Sequence, residues 1–247
     1  MPYVFKYGLT ERENMYGDPN KLQNQLDKVT ESRNGNRFNF TSPVPGLHIY
    51  DNVWPDSMDF INEIRTDEYW KNNEHRGSKP WIREDYYNEL NGKKAETCWV
   101  WNHPKFAEHF QEIVDSYLWQ WDLNPLSREA MRISRYEPGE FFSLHADDSY
   151  GTPRTVSLVY YPNDDYDGGE LEFIHFGVKI KPKAGQLFLF PSAYSYMHKI
   201  HGITSGVRYT LVSFFAEISE KERQTRMSSI EFPYTTDLQY QFEENKL

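Results

Sequence analysis

The sequence lacks several features on which whole classes of protein depend. Its single cysteine, Cys98, excludes an internal disulfide framework and any cysteine-rich zinc or iron–sulfur site. No run of about 18 apolar residues is present, so no membrane span is expected. The first residues, Met1–Lys6, lack the apolar core of a signal peptide. We therefore expect a cytoplasmic protein without a membrane partner.

Positive charge is also scarce. The 247 residues include 27 Lys plus Arg against 37 Asp plus Glu, a formal net charge of −10, and no basic block occurs. Nucleic acid is therefore not an expected partner, because nucleic-acid binding depends on clustered basic residues. Aromatic residues, in contrast, make up 17% of the chain, which favours strands and pockets lined by side chains.

The first half of the chain predicts a polar arm followed by helices. Residues 1–42 have turn composition and predict an N-terminal arm or extension. Residues 43–125 are expected to form a helical support, with one helix from Pro55 to Arg65 and another from Lys105 to Gln120, whose apolar residues recur on one face. Residues 66–95 are predicted to be rich in loops.

From residue 130 the pattern changes to short strands separated by turn residues. Strands are predicted at Met131–Tyr136, Thr155–Tyr161, Leu171–Ile174, Gly185–Phe190 and Arg208–Phe215. This pattern indicates a β sandwich or barrel over 130–216, with helices packed on one face. The fold class is thus α+β and mainly β. Residues 217–247 are predicted to be a C-terminal extension packed on the core.

Three residues in this β region can bind a metal ion together. His145 and Asp147 are two positions apart, so on an extended strand their side chains point the same way. With His198 downstream, they can form the two-histidine, one-carboxylate arrangement that holds non-haem Fe(II) and leaves coordination positions open. The alternative is that these histidines and this aspartate have only structural roles.

Arg208 begins an apolar strand in which no acidic residue occurs. A guanidinium stays charged and is costly to bury without a partner, so it requires a carboxylate from elsewhere in the chain or from a ligand. Two alternatives stay open: the side chain reaches solvent at the strand end, or it pairs with Glu170 or Glu172.

Several segments together resemble the prolyl-4-hydroxylase-like 2-oxoglutarate/Fe(II) dioxygenases. They are the run Tyr136–Asp147, then Val159–Asn163, Gly168–Phe173, Ala184–Ser192 and Thr204–Tyr209, and they occur in the order typical of that family. The resemblance covers about residues 130–216, and more loosely the region from about 45. It implies a 2-oxoglutarate/Fe(II) dioxygenase domain over 43–216, whose core at 130–216 is a double-stranded β-helix, or jelly roll.

The resemblance also implies roles for individual residues. His145, Asp147 and His198 would be the catalytic iron ligands. Arg208, ten residues after His198, would bind the distal carboxylate of 2-oxoglutarate. Tyr136 and Tyr161 match tyrosines near the cosubstrate, although Tyr161 also fits simple core packing beside Tyr160.

Two neighbouring residues compete for the metal-ligand roles. His201 lies three residues after His198, but its seven-residue distance to Arg208 does not match the family. Asp148 adjoins Asp147 and would face the opposite side of a strand. Many prolyl hydroxylases of this family have lysine at the cosubstrate position, so Arg208 argues against a collagen-type assignment.

The implied activity is hydroxylation of a C–H bond, with Fe(II), 2-oxoglutarate and O2 required and ascorbate a further candidate cofactor. A peptide, prolyl-like or otherwise, or a small molecule is the expected substrate. An acidic rim at residues 164–167 would favour a basic or neutral substrate, although a solvated turn explains it as well. The alternatives are a non-catalytic or zinc-binding jelly-roll module and a nucleic-acid demethylase of the same superfamily. The sequence leaves the oligomeric state open.

Overall fold

Short antiparallel strands joined by turns dominate the structure, a computed structural model that describes residues 38–72, 79–87, 92–100, 103–123, 126–149 and 153–217. The strands are β1 Thr41–Val44, β2 Leu47–Tyr50, β3 Lys79–Tyr87, β4 Gly92–Val100, β5 Leu126–Arg128, β6 Met131–Tyr136, β7 Phe141–His145, β8 Val156–Tyr161, β9 Asp167–Gly168, β10 Leu171–Phe173, β11 Val178–Ile180, β12 Gln186–Pro191, β13 His198–Ile200, β14 Ile203–Ser205 and β15 Arg208–Glu217. The helices are α1 Ser57–Ile64, α2 Asp67–Asn72 and α3 Pro104–Gln120, with short 3-10 turns at Ile174–Phe176 and Tyr194–Tyr196.

Most strands join one antiparallel sheet that curls into a nearly closed barrel. The order along the sheet is β1-β2-β12-β8-β15-β6-β4-β7-β13-β10-β11, with β3 added to β4 and β5 added to β15. Strands β9 and β14 pair separately. Distant segments are therefore neighbours: β15 lies between β6 and β8, and β13 lies beside β7. This arrangement confirms the predicted mainly β, jelly-roll fold.

The helices cover one face of the sheet, as the sequence predicts. Helix α3 begins at Pro104, where the missing amide hydrogen costs nothing, and the His103 side chain accepts a hydrogen bond from the Lys105 amide. Its apolar side, including Phe106 and Phe110, packs with α1 and with outward-facing strand residues such as Leu211. Burial of each large apolar side chain contributes about 1.5–3 kcal/mol, which holds this layer on the sheet.

The loop-rich prediction for residues 66–95 is wrong over the described part of that range. It contains α2 and the strands of a long hairpin, β3 and β4, paired from Ile82 opposite Thr97 to Tyr87 opposite Gly92. The signal was missed because the positions that face the barrel interior include Lys93 and Thr97. An apolar alternation, the usual sign of a strand, is therefore absent. Strands also occur before residue 130: β2 lies at Leu47–Tyr50, where the sequence predicts a short strand, whereas β1, β3, β4 and β5 were not predicted.

Most of the predicted N-terminal arm (1–42) and C-terminal extension (217–247) lies outside the described residues. These boundaries stay predictions, as does the 43–216 domain. Within the described ranges, no helix combines the length and the apolar character that crossing a bilayer requires.

Candidate metal centre

The two predicted histidine ligands face each other on neighbouring strands. His145 is the last residue of β7, and His198, the first residue of β13, is its direct register partner. Their ring centroids are 4.4 Å apart. The pairing of β7 with β13 therefore joins two residues that are 53 positions apart in the chain.

Asp147 completes the cluster from the segment that follows β7. Its Oδ1 lies 3.5 Å from His145 Nε2, and its Oδ2 lies 3.8 Å from His198 Nε2. One ligand atom from each of the three residues lies within 4.8 Å of the others. Such spacing allows all three atoms to bind a common ion.

The hydrogen bonds around this cluster prepare it for a cation. Nδ1–H of His145 donates to the Ser143 carbonyl over 2.8 Å, and Nδ1–H of His198 donates to the Tyr196 carbonyl over 3.0 Å. Each histidine thereby keeps the Nε2 lone pair for a metal, as ligating histidines generally do. Asp147 Oδ2 accepts from the Ser157 hydroxyl at 2.6 Å, which fixes the carboxylate.

The protonation states also suit a metal ion. Burial alone would raise the pKa of Asp147, but His198, His145 and the Ser157 hydroxyl hold it below its usual range. Burial lowers the pKa of His198 to about 4. At neutral pH the aspartate is thus ionised and His198 is neutral, the forms that bind metals.

The two competing residues have other partners. His201 Nε2 lies 2.6 Å from Glu172 Oε2, a carboxylate that also pairs with Lys199 at 3.0 Å. Asp148 is exposed, and its Oδ1 accepts a hydrogen bond from the Arg154 amide at 3.0 Å. Neither residue belongs to the cluster of ligand atoms around Asp147.

Arg208 is a fully buried cation in the described part of the barrel. It is 0% exposed, and its Nε, Nη1 and Nη2 have no hydrogen-bond partner. The suggested alternatives are therefore not realised: the side chain does not reach solvent, Glu172 pairs with His201, and Glu170 lies 3.8 Å from Lys179. A buried guanidinium of this kind requires an anion, and a ligand carboxylate would supply it.

Aromatic rings and a glycine surround the Arg208 side chain. The Tyr136 and Tyr161 rings each lie with their centroid 5.2 Å from the guanidinium carbon. Tyr161 also packs edge-on against Phe188 at 4.9 Å, so it contributes to the core as well. Gly169 has φ +67°, and a Cβ there would come within 3.0 Å of Arg208 Cδ and 2.6 Å of an isoleucine methyl group. Glycine is thus required where the chain passes the arginine.

The cluster around Asp147 and the arginine lie on the same inner wall. Strand β8 contributes Ser157, which donates to Asp147, and Tyr161, whose ring contacts Arg208. These two residues are four positions apart and point the same way, about 13 Å along the strand. The two groups therefore face one interior, at different levels of the barrel.

Sequence reasoning missed two residues of this site. Ser157 occupies the same face of β8 as Tyr161, so its period-two spacing was the available signal. Tyr166 is 4% exposed, its hydroxyl has no hydrogen-bond partner, and its ring would be 3.0 Å from a Cβ at Gly169. It lies in the acidic run 164–167, which the sequence suggested as a rim of the pocket.

Comparisons with known proteins point to one group of oxygenases. Residues 131–216 match the sequence model of the 2OG-Fe(II) oxygenase superfamily. A PKHD-type hydroxylase of Idiomarina loihiensis is 25% identical over 173 residues, which cover 67% of this chain and 74% of the relative. A PKHD-type hydroxylase of a Synechococcus strain is 34% identical over 110 residues, 42% of this chain and 49% of the relative. The matched segment is thus about half of that second protein.

A solved structure shares the fold at lower identity. The prolyl hydroxylase of Trichoplax adhaerens, solved with a peptide of the hypoxia inducible factor oxygen degradation domain, superposes with a TM-score of 0.54. It is 17% identical, and the alignment covers 87% of this chain and 99% of that one. This likeness supports the jelly-roll architecture.

Proposed function

We propose that this prolyl-4-hydroxylase-like 2-oxoglutarate/Fe(II) oxygenase hydroxylates a C–H bond of a peptidyl, prolyl-like substrate or of a small molecule, with release of succinate and CO2. One observation carries the proposal: an unpaired, fully buried guanidinium shares an inner wall with two histidines and an aspartate that can bind one ion. A zinc hydrolase has no need of such a buried cation.

The residues fit the two groups that the family requires. His145, Asp147 and His198 would hold Fe(II), because two neutral imidazoles and a carboxylate are typical of non-haem iron sites. Arg208 would bind the distal carboxylate of 2-oxoglutarate, since a planar guanidinium forms bidentate bonds to carboxylates. Tyr136 and Tyr161 would wall the cosubstrate pocket from either side of that guanidinium.

When bound, the iron and 2-oxoglutarate supply the oxidising chemistry with O2. The protein supplies binding, orientation and a dry pocket. Asp147, held by Ser157, keeps a fixed negative charge opposite the two imidazoles. The aromatic residues around Arg208 exclude water, which strengthens the ion pair with the cosubstrate. Ascorbate as an accessory reductant belongs to the same proposal.

The substrate assignment rests on the relatives. The Trichoplax enzyme was solved with a peptide, and the bacterial relatives are hydroxylases by name. A peptide is therefore the first substrate to test, followed by free amino acids.

The test is anaerobic binding of Fe(II) and 2-oxoglutarate, followed by the weak visible charge-transfer band of the ternary complex. We expect the band in the wild-type protein and its loss in His145→Ala and His198→Ala. His201→Ala is the matched control, because its imidazole pairs with Glu172 outside the cluster, and it should keep the band. Absence of the band in the wild type at saturating ligand would refute the proposal. Its loss in His201→Ala with retention in His198→Ala would refute the ligand assignment.

A further inference from the structure

A second arginine points into the barrel, between the level of Arg208 and that of the candidate metal centre. Arg132 lies on β6 four residues before Tyr136, so the two side chains share the inner face. Tyr136 pairs with Arg208 in the sheet, and Arg132 pairs with Val212. The Cα of Arg132 therefore lies about 13 Å along the sheet from the Tyr136–Arg208 pair, four residues at about 3.3 Å each.

One phenylalanine connects Arg132 to the metal ligands. The Arg132 guanidinium carbon lies 5.6 Å from the centroid of the Phe214 ring. Phe214 is the register partner of Ser157, whose hydroxyl donates to Asp147. Arg132 is thus separated from the metal-binding carboxylate by a ring and a hydroxyl. By register it lies level with Val212 and Val159, two residues along the strands from the Phe214–Ser157 pair.

Arg132 has no anionic partner among the described residues. Its Nε is buried without a hydrogen bond, while the side chain as a whole is half-buried. The carboxylate of Glu84 is near enough for Arg132 to lower its pKa, but that carboxylate already accepts from Lys93 and Thr97. Lys93 and Thr97 hold that carboxylate, and no ion pair joins it to Arg132 among the described residues, so the Arg132 charge is without an anionic partner there.

The neighbouring Arg154 serves as an internal comparison. Its guanidinium packs on the same Phe214 ring, 3.7 Å from the centroid. However, Glu129 accepts from its Nε at 2.6 Å and from its Nη2 at 2.7 Å. Two arginines thus contact one ring beside the metal ligands, and within the described ranges only Arg154 pairs with a carboxylate.

We propose that Arg132 binds an anionic group of the primary substrate, so that this enzyme oxidises a molecule that carries a carboxylate close to the reacting carbon. This inference rests on the proposed function and names its substrate class. The cosubstrate carboxylate is not the expected partner, because in the proposed function Arg208 would bind it at the other level of the wall. The carboxylate belongs either to a free amino or imino acid or to an acidic side chain of a peptide.

Matched pairs of probes separate the two sources. N-acetyl-L-proline is compared with N-acetyl-L-prolinamide, and acetyl-Pro-Asp-amide with acetyl-Pro-Asn-amide. Binding to the protein loaded with Mn(II) and 2-oxoglutarate is measured by calorimetry, which needs no turnover, and hydroxylated product is measured with Fe(II) by mass spectrometry. We expect the anionic member of one pair to bind about ten- to a hundredfold more tightly, the range of a charge-assisted hydrogen bond.

Variants on the two faces of β6 complete the test. Arg132→Gln should reduce the anionic preference to near unity, and Arg132→Lys should keep part of it. Arg135→Gln is the control: Arg135 lies on the same strand, and its Nη2 donates to Glu137 at 2.7 Å. That variant should keep the full preference.

The outcomes distinguish this inference from the proposed function. Failure of the wild type to form the charge-transfer band counts against the proposed function. A normal band with no preference in either pair, including no detectable binding of any probe, overturns the role of Arg132 alone. An unchanged preference in Arg132→Gln overturns it equally.

Discussion

Two buried cations in the same barrel have opposite surroundings. Lys93 on β4 is 1% exposed, and its ammonium donates to the Glu84 carboxylate, to Thr97 Oγ1 at 3.2 Å and to Ser134 Oγ at 3.4 Å. Arg208 on β15 is 0% exposed, and its guanidinium lies among tyrosines, with no carboxylate partner among the described residues. Both side chains lie on the inner face of the sheet.

The difference separates a structural charge from a binding charge. A buried ion pair with saturated hydrogen bonds is complete when the chain folds, and ligands add nothing to it. An unpaired buried cation costs free energy until an anion arrives, so its presence indicates a ligand. The same rule distinguishes Arg154, which pairs with Glu129, from Arg132 beside it. The comparison predicts that variants of the two cations act on different measured quantities.

The largest effect is expected from Lys93→Met, and it falls on stability. At about pH 6, where a pKa of about 7 leaves Lys93 protonated, the change removes the cation that pairs with the Glu84 carboxylate, so the free energy of unfolding should fall by about 3–5 kcal/mol. Urea denaturation followed by circular dichroism measures this. The double variant Glu84→Gln with Lys93→Met removes both charges and should regain most of the loss. Equal stability of the single variant and the wild type would show that the ion pair does not stabilise the barrel.

Arg208→Met should act on ligand binding instead. Loss of the charge-assisted bond should make the binding free energy of 2-oxoglutarate less favourable by about 1.5–3 kcal/mol, which lowers its affinity roughly ten- to a hundredfold. Without ligand, the free energy of unfolding should stay the same or rise, because an unpaired charge is removed from the interior. Calorimetric titration with 2-oxoglutarate tests the expected loss of affinity. Urea denaturation without ligand tests the expected stability. A cosubstrate affinity within twofold of the wild type would remove Arg208 from the site.

The contrast also explains which parts of the fold the sequence could predict. Outside the hairpin, the predicted strands agree with the observed ones to within a residue or two: Thr155–Tyr161 was expected, and β8 spans Val156–Tyr161. Helix α3 was expected from Lys105 and begins at Pro104. In both elements apolar residues recur with a clear period, so pattern and tertiary burial agree. The hairpin of β3 and β4 was missed because Glu84, Lys93 and Thr97 form hydrogen bonds inside the barrel.

For the site, the sequence supplied the residue types and their order. The distances between the site residues could not be predicted, because they depend on which strands pair in the sheet and in which register. The spacing of His145 and Asp147 places them on one side, but their approach to His198 depends on the register of β7 with β13. Arg208 could be recognised as a cation in an apolar strand. Its lack of an acidic partner could not be recognised, because that depends on the positions of Glu170 and Glu172 in the folded chain. Arg132 gave no signal, since an arginine on an alternating strand is ordinarily a solvent-facing residue.

The dependence of stability on pH offers the finest test of the paired charge. Burial, and then the positive charge of Arg132, lower the pKa of Lys93 to about 7, against the opposing effect of Glu84. The pKa of lysine in an unfolded chain is about 10.4. Between these values the unfolded chain binds more protons than the folded one, so this group makes stability rise with pH.

We therefore expect the wild type to gain stability relative to the Glu84→Gln/Lys93→Met double variant as the pH rises from about 7 to 10. The slope should approach about 1.4 kcal/mol per pH unit and vanish below about pH 7. The Glu84 carboxyl does not interfere, because its own pKa is lowered and its contribution is lost only in acid. Urea denaturation of both proteins is measured at each pH. The titratable groups that the two proteins share then contribute equally to both curves, and their contributions cancel in the difference. Parallel curves would mean that Lys93 keeps its proton throughout, and thus that the surrounding acceptors compensate fully for its burial.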